Sequence, residues 1–231
     1  MQNVIWKRLG FQNLLFWLFA YIVVNPFLTS LPYSRYVVDL LLSFVLFFAI
    51  FAVSRKRKIL PISTSLLILT LLFHWLHIFG VIEFSPLISY WILVIYLGTL
   101  VYSFFIAIIT SHKVTLRLIS ATLCLYLIIG MLWGAIYTLL ESMVPGSFSG
   151  GTLDQAHSPE QLLQSFTYFS FITLTTLGYG DITPQTMGAG GLCQAEAIVG
   201  QFYTTVLVAF LVGMYTSERQ AKKEKAKNIS E

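Results

Sequence analysis

Apolar residues along this chain gather into blocks of about 20, the length at which a helix rising 1.5 Å per residue crosses a hydrocarbon core roughly 30 Å thick. Such blocks stand at 10–28, 36–53, 59–79, 87–110, 116–140 and 192–215. Lipid offers no partner to a free backbone N–H or C=O, so each block is expected as a helix. None begins with the short apolar run and small-residue cleavage site of a secretory signal, and the first block is expected to be retained. The stretch between the fifth and sixth blocks breaks the pattern, with Ser and Gly through 142–157 reading as an outer loop.

Composition sharpens this picture. With 57% hydrophobic and 10% charged residues and a mean hydropathy of +0.78, the chain cannot expose a water-soluble surface, and the expected class is an all-α membrane protein. The basic residues then orient it. With both termini in the cytoplasm, Lys7, Arg8, Arg55 to Lys58, Lys113, Arg117 and the tail from Arg219 to Lys227 lie inside, and Arg35 lies outside. Asp39, Glu83, Glu141, Asp154, Glu160, Asp181 and Glu196 fall at or near the outer side, a rim that concentrates cations. The net charge of +4 therefore does not point to nucleic acid. The tail Lys222, Lys223, Lys225 and Lys227 reads as a helix end beside anionic lipid. Cys124 and Cys193 fit small buried residues rather than a disulfide or zinc site.

The interrupted stretch carries the chemistry. Ser158, Pro159, Glu160 and Gln161 supply an N-cap, a first-turn proline, a first-turn acid and a Gln at the third helical position. The helix they start, 159–174, is too short to cross the bilayer before glycines break it. A helix ending at membrane depth needs cover from protein or a water-filled path. Next comes Thr175-Thr176-Leu177-Gly178-Tyr179-Gly180-Asp181. Gly178 and Gly180 can take left-handed backbone angles, which lets successive carbonyls point to one side.

This segment resembles the pore loop of potassium channels, whose filter usually reads Thr-Val-Gly-Tyr-Gly-Asp. The resemblance implies a homotetramer in which carbonyls of Thr176, Leu177, Gly178 and Tyr179, with the Thr176 hydroxyl, replace the water around a dehydrated K+. It implies that Tyr179 turns from the axis and packs on the short helix at Tyr168 and Phe169, with Thr175 and Glu196 as further support. Asp181 is expected to anchor the outer end by a hydrogen bond, with Tyr168 a candidate partner. Leu177 departs from the usual Val; only its carbonyl would face the ion, so the departure bears on packing and inactivation.

The sixth block, Ala195 to Gly213, is similar to the inner helix of prokaryotic potassium channels. By that similarity Gly200 stands at the hinge position, with a close helix contact as the alternative reading. Thr204, Val208 and Val212 recur at helical spacing, with Thr205 nearby, and would line a cavity that narrows to an apolar constriction. Glu196 near the outer end needs hydrogen bonds to the short helix or outer loop, because an isolated intramembrane carboxylate is costly.

The expected organisation is a four-helix transmembrane domain at 1–114, a pore domain at 115–216 and a basic cytoplasmic tail at 217–231. Six helices with a pore loop before the last match the plan of voltage-gated channels, yet 87–110 holds no Lys or Arg. Moving one charge through 100 mV supplies only about 2.3 kcal/mol, so a helix without charges cannot serve as the usual sensor. His74 and His77 share a helix face and, with Glu83 and Asp39, read as polar bundle contacts or a proton or metal sensor. No nucleophile, base and oxyanion set is present, so an enzyme is not expected, and no cofactor beyond K+ as permeant ion. The expected function is a cell-membrane potassium channel subunit. The rivals are a poorly selective cation channel, a non-conducting regulatory subunit, and a potassium uptake subunit, which usually carries four pore-like repeats where this chain has one.

Overall fold

The computed structural model describes residues 2–28, 34–53, 60–78, 86–111, 115–154, 156 and 158–230. Over these the chain is almost wholly helical: α1 (Gln2–Leu28), α2 (Ser34–Val53), α3 (Leu60–Ile78), α4 (Pro86–Ile109), α5 (Leu116–Met143), α6 (Gly151–Asp154), α7 (Pro159–Leu174) and α8 (Met187–Ser230). Two-residue strands β1 (Phe148–Ser149) and β2 (Thr183–Pro184) pair antiparallel, Phe148 opposite Pro184 and Ser149 opposite Thr183. They tie the loop after α5 to the chain leaving the 175–181 segment.

The helices are apolar on both their buried and their open faces. Leu14, Leu18, Leu46, Tyr96, Leu97 and Leu100 interlock in the core, while Phe16, Phe19, Phe27, Ile68 and Phe105 are each more than half exposed. A helix that hides its apolar residues on one side and shows as many on the other suits a lipid surround. This is an all-α membrane protein. Among the described residues, Gly10–Leu28, Leu87–Ile109 and Leu116–Met143 are long and apolar enough to cross a bilayer, and Tyr36–Ile50 and Pro61–Phe73 are shorter apolar helices. The second and third expected spans are cut short in this count because neighbouring residues lie outside the described set.

α5 is the element on which the rest is hung. Thr115 caps it, its Oγ1 accepting from the Leu118 N–H at 3.2 Å. It packs on α4 and α1 on one side and on α7 on the other. The α7 seam runs over Gly130 and Gly134, one turn apart. A methyl at Gly134 would stand 2.7 Å from the Thr167 Cα, and one at Gly130 would strike the Phe171 ring. Small residues at one-turn spacing let two helix backbones approach closely.

The tail does not detach as a separate unit. α8 continues for 44 residues through the basic segment to Ser230, about 66 Å at helical rise. Residues 217–230 are mostly Glu, Arg, Gln, Ala and Lys, with no Gly or Pro, and helix propensity explains the extension.

Candidate functional site

α7 starts and stops where the sequence reading expects. Ser158 Oγ accepts from the Gln161 N–H at 3.3 Å, and Pro159 occupies the first turn, where its missing N–H removes no helical bond. At the other end Thr175 is the cap: its N–H and its hydroxyl both donate to the Phe171 carbonyl, at 3.0 and 2.6 Å. The Thr176 N–H donates to the Thr173 carbonyl at 2.9 Å.

The next two amides turn back as well. Leu177 N–H and Gly178 N–H both donate to the Ile172 carbonyl, at 2.9 and 3.2 Å. In a trans peptide the C=O points opposite to the N–H that follows it. The carbonyls of Thr176 and Leu177 therefore both point away from α7. Alternating backbone handedness permits this: φ is +60° at Thr176, +57° at Gly178 and +77° at Gly180. The two glycines take left-handed angles without penalty, whereas at Thr176 the same angle is strained. That third left-handed residue was not legible, because nothing in a threonine's identity signals positive φ. The segment presents consecutive carbonyl dipoles on one side, an arrangement able to replace the hydration of a cation.

The outer end is fixed by the side chain of Asp181. Its Oδ2 accepts from the Tyr168 hydroxyl at 2.8 Å and its Oδ1 from the Ile182 N–H at 3.1 Å. Tyr168 thus sits where the sequence suggested. Phe169 does not. Its ring lies 5.3 Å from Tyr137 and 5.7 Å from Phe148, in an inward cluster with Phe166. Neighbouring residues on a helix face about 100° apart, so Tyr168 can meet the 175–181 segment while Phe169 turns to α5. Tyr179 remains 65% exposed and Leu177 55% exposed within the single chain.

Behind this segment lies a buried polar clamp. Glu196, on α8, has no exposed surface. Its Oε2 accepts from the Tyr137 hydroxyl of α5 and its Oε1 from the Ser170 hydroxyl of α7, each at 2.5 Å. Ser170 Oγ also lies 2.7 Å from the Gly130 carbonyl. One carboxyl group joins α5, α7 and α8, and a buried polar group held this way is costly to deprive of its partners. Glu196 was singled out from sequence; Tyr137 and Ser170 were not, since each is an ordinary residue until three helices bring it to the carboxylate. Glu141 does a similar task outside, accepting from the Gly146 N–H at 2.7 Å and the Phe148 N–H at 3.0 Å, which shapes the loop before β1.

α8 meets the end of α7 at Gly200, which is buried. A methyl there would strike the Leu174 carbonyl oxygen, so the close contact requires glycine. Thr204, Thr205 and Val212 are exposed on α8. The Thr204 hydroxyl bonds back to its own helix, 3.2 Å from the Gly200 carbonyl. Gln201, absent from the expected site, donates from Nε2 to Thr176 Oγ1 at 3.1 Å. A carboxamide within an apolar span was the signal available for it. The side chains of Val208, His74 and His77, and the whole of Glu83, lie outside the described residues. Asp39 is buried and borders a cavity of about 50 Å³ together with Tyr21, Tyr90 and Glu160.

Comparison with known proteins bears on this half of the chain. Residues 118–217 match the model of a family described as "Ion channel". Protein LctB of Bacillus caldotenax is similar, 27% identical over 112 residues, covering 48% of this chain and 83% of that protein. No solved structure matches. The match over 118–217 takes in the carbonyl segment and the Glu196 clamp, and the matched family is one of channels, not of enzymes.

Proposed function

We propose that the chain is one subunit of a homotetrameric channel that passes K+ passively across the cell membrane, with Thr176 to Asp181 as its selectivity filter. The single observation that carries this reading is the shared acceptor at Ile172, which turns the Thr176 and Leu177 carbonyls to one side. Four copies about an axis would stack rings of neutral oxygen dipoles. Such rings hold a monovalent ion in place of its water and let it leave again, whereas carboxylate rings favour divalent ions.

The open surfaces support a fourfold assembly. Leu177, Tyr179, Ile198, Phe202 and Val206 are all more than half exposed beside the segment and along α8, apolar area that neighbouring subunits would cover. In that assembly Tyr179 packs against an adjacent subunit, because its own Phe169 is committed to Tyr137. Thr204, Thr205, Val208 and Val212 line the cavity below. Gly200 serves as the point where α8 leans on the filter and from which its lower half swings. Both termini lie in the cytoplasm, with the basic end of α8 beside anionic lipid. The stimulus is not the usual voltage sensor, since α4 carries no Lys or Arg.

Current from purified protein in planar bilayers tests this. With KCl on one side and NaCl on the other, the reversal potential is expected near the potassium equilibrium value. A reversal near zero would assign a poorly selective cation channel, and the absence of unitary current a regulatory subunit.

A further inference from the structure

Gln201 has no part in the filter as read above, yet among the described residues it is the α8 side chain that hydrogen-bonds to it. Its Nε2 donates to Thr176 Oγ1 at 3.1 Å, at the end of the carbonyl segment nearest the cavity. A carboxamide carries two donors on one arm and an acceptor oxygen on the other. With the nitrogen held by Thr176, the Oε1 arm has no hydrogen-bond donor among the described residues, and Gln201 is exposed in the single chain. Thr204 cannot supply that donor, because its hydroxyl bonds back to the carbonyls of Gly200 and Gln201 at 3.2 and 3.1 Å.

The close seat of Gly200 on the Leu174 carbonyl fixes where Gln201 starts. The neighbouring residue thus cannot drift from the filter without separating α8 from α7. An acceptor oxygen, anchored through its own amide and open on its other side, is a cation ligand held in advance of the ion. Resting on the filter reading, we propose that Gln201 forms an additional cation site just below Thr176, in which four Oε1 atoms receive an ion or its remaining water between the cavity and the filter.

The same bond acts on Thr176. A hydroxyl has one hydrogen and two lone pairs, and Gln201 occupies one lone pair. The rotor is then restrained, and the Thr176 oxygen is prepared for the ion by the same side chain that offers the next ligand. Gln201 is therefore both a ligand and a positioning residue.

The probe is internal Ba2+, a divalent ion close to K+ in size, applied to reconstituted channels carrying Gln201→Leu or Gln201→Glu. Loss of the Oε1 ligand from all four subunits is expected to weaken Ba2+ block at least about fivefold in Gln201→Leu. A carboxylate in the same place is expected to strengthen it in Gln201→Glu, since hard divalent ions prefer charged oxygen. Opposite directions are the signature, because a merely structural role would shift both variants the same way. Equal block in all three proteins, or a shift of the same sign in both variants, overturns the proposal. If either variant carries no current, Ba2+ binding to the purified protein by calorimetry is expected to be tighter in Gln201→Glu and weaker in Gln201→Leu than in the parent, and equal affinities or a shift of the same sign in both overturn the proposal. A parent channel that fails to select K+ would instead remove the filter reading, a result separable from these.

Discussion

In the first four helices, polar contacts between helices lie apart from one another among the described residues: the Tyr96 hydroxyl donates to the Leu46 carbonyl at 2.6 Å, and Trp75 Nε1 donates to Ser43 Oγ at 3.2 Å. Around α7 they converge. Tyr137 and Ser170 meet on Glu196, Tyr168 meets Asp181, and Gln201 meets Thr176. The first region is held by apolar interlock and tolerates lipid at its back. The second holds a backbone with three left-handed residues in a conformation that a loop on its own would not keep. Strain of this kind persists only where surrounding contacts over-determine it. The contrast teaches that the polar groups near α7 serve the shape of one short segment. The regions touch directly where the Tyr90 hydroxyl of α4 donates to the Pro159 carbonyl at 2.8 Å, at the first turn of α7.

Substitutions can break this contrast. The largest effect is expected from Gly178→Ala or Gly180→Ala. No atom obstructs the added methyl at either position, so the cost is the left-handed angle, about 1–2 kcal/mol per residue, carried by every subunit. K+ current should vanish while membrane insertion, read by protease protection, stays intact; unchanged selectivity would contradict the assignment.

Next comes the clamp. Glu196→Ala takes the carboxyl acceptor from the buried Tyr137 hydroxyl, while Ser170 keeps the Gly130 carbonyl, and leaves a cavity, a loss of about 3 kcal/mol. Glu196→Gln keeps one acceptor and should lose clearly less. Thermal unfolding in detergent ranks the pair, and equal losses would show that packing, not hydrogen bonding, is what Glu196 supplies.

Gly134→Ala and Gly200→Ala test the two close helix approaches. Each forces a methyl into occupied space, and overpacking of this kind costs about 1–3 kcal/mol. Gly200→Ala should in addition alter open probability, seen in single-channel records, because it separates α8 from the end of α7. Gly134→Ala should leave gating unchanged while lowering stability. The reverse pattern would place the movable contact on α5.

The smallest effect on permeation is expected in the first region. Tyr96→Phe removes a buried hydrogen bond worth about 1 kcal/mol, so the melting temperature should fall while reversal potentials stay fixed. A change in selectivity would mean that the two regions are coupled more tightly than their contacts suggest.

How much of this was legible follows from the range of each signal. The bounds of α7 could be read because caps and glycines act within a few residues, as Ser158, Pro159 and Gly178 show. The Asp181 partner was within reach for a similar reason, Tyr168 lying 13 residues earlier on a helix that leads into the segment. Tyr137, 59 residues from Glu196, had no local mark. Phe169 was assigned to the wrong neighbour because four aromatic residues on one short helix do not reveal which turns to α5. The basic tail was read as a helix end, and α8 runs on through it to Ser230; how far the helix reaches had no local mark, because no Gly or Pro stands in 217–230 to end it.

The central claim is an oxygen cage built from four backbones. It is tested most directly by a high-resolution density map of the purified particle, recorded in KCl and again in NaCl. The account predicts four chains around one axis and a column of ion density between the carbonyls of Thr176, Leu177, Gly178 and Tyr179 in KCl, changed or lost in NaCl. A monomeric particle, or an axis empty in both salts, would contradict it.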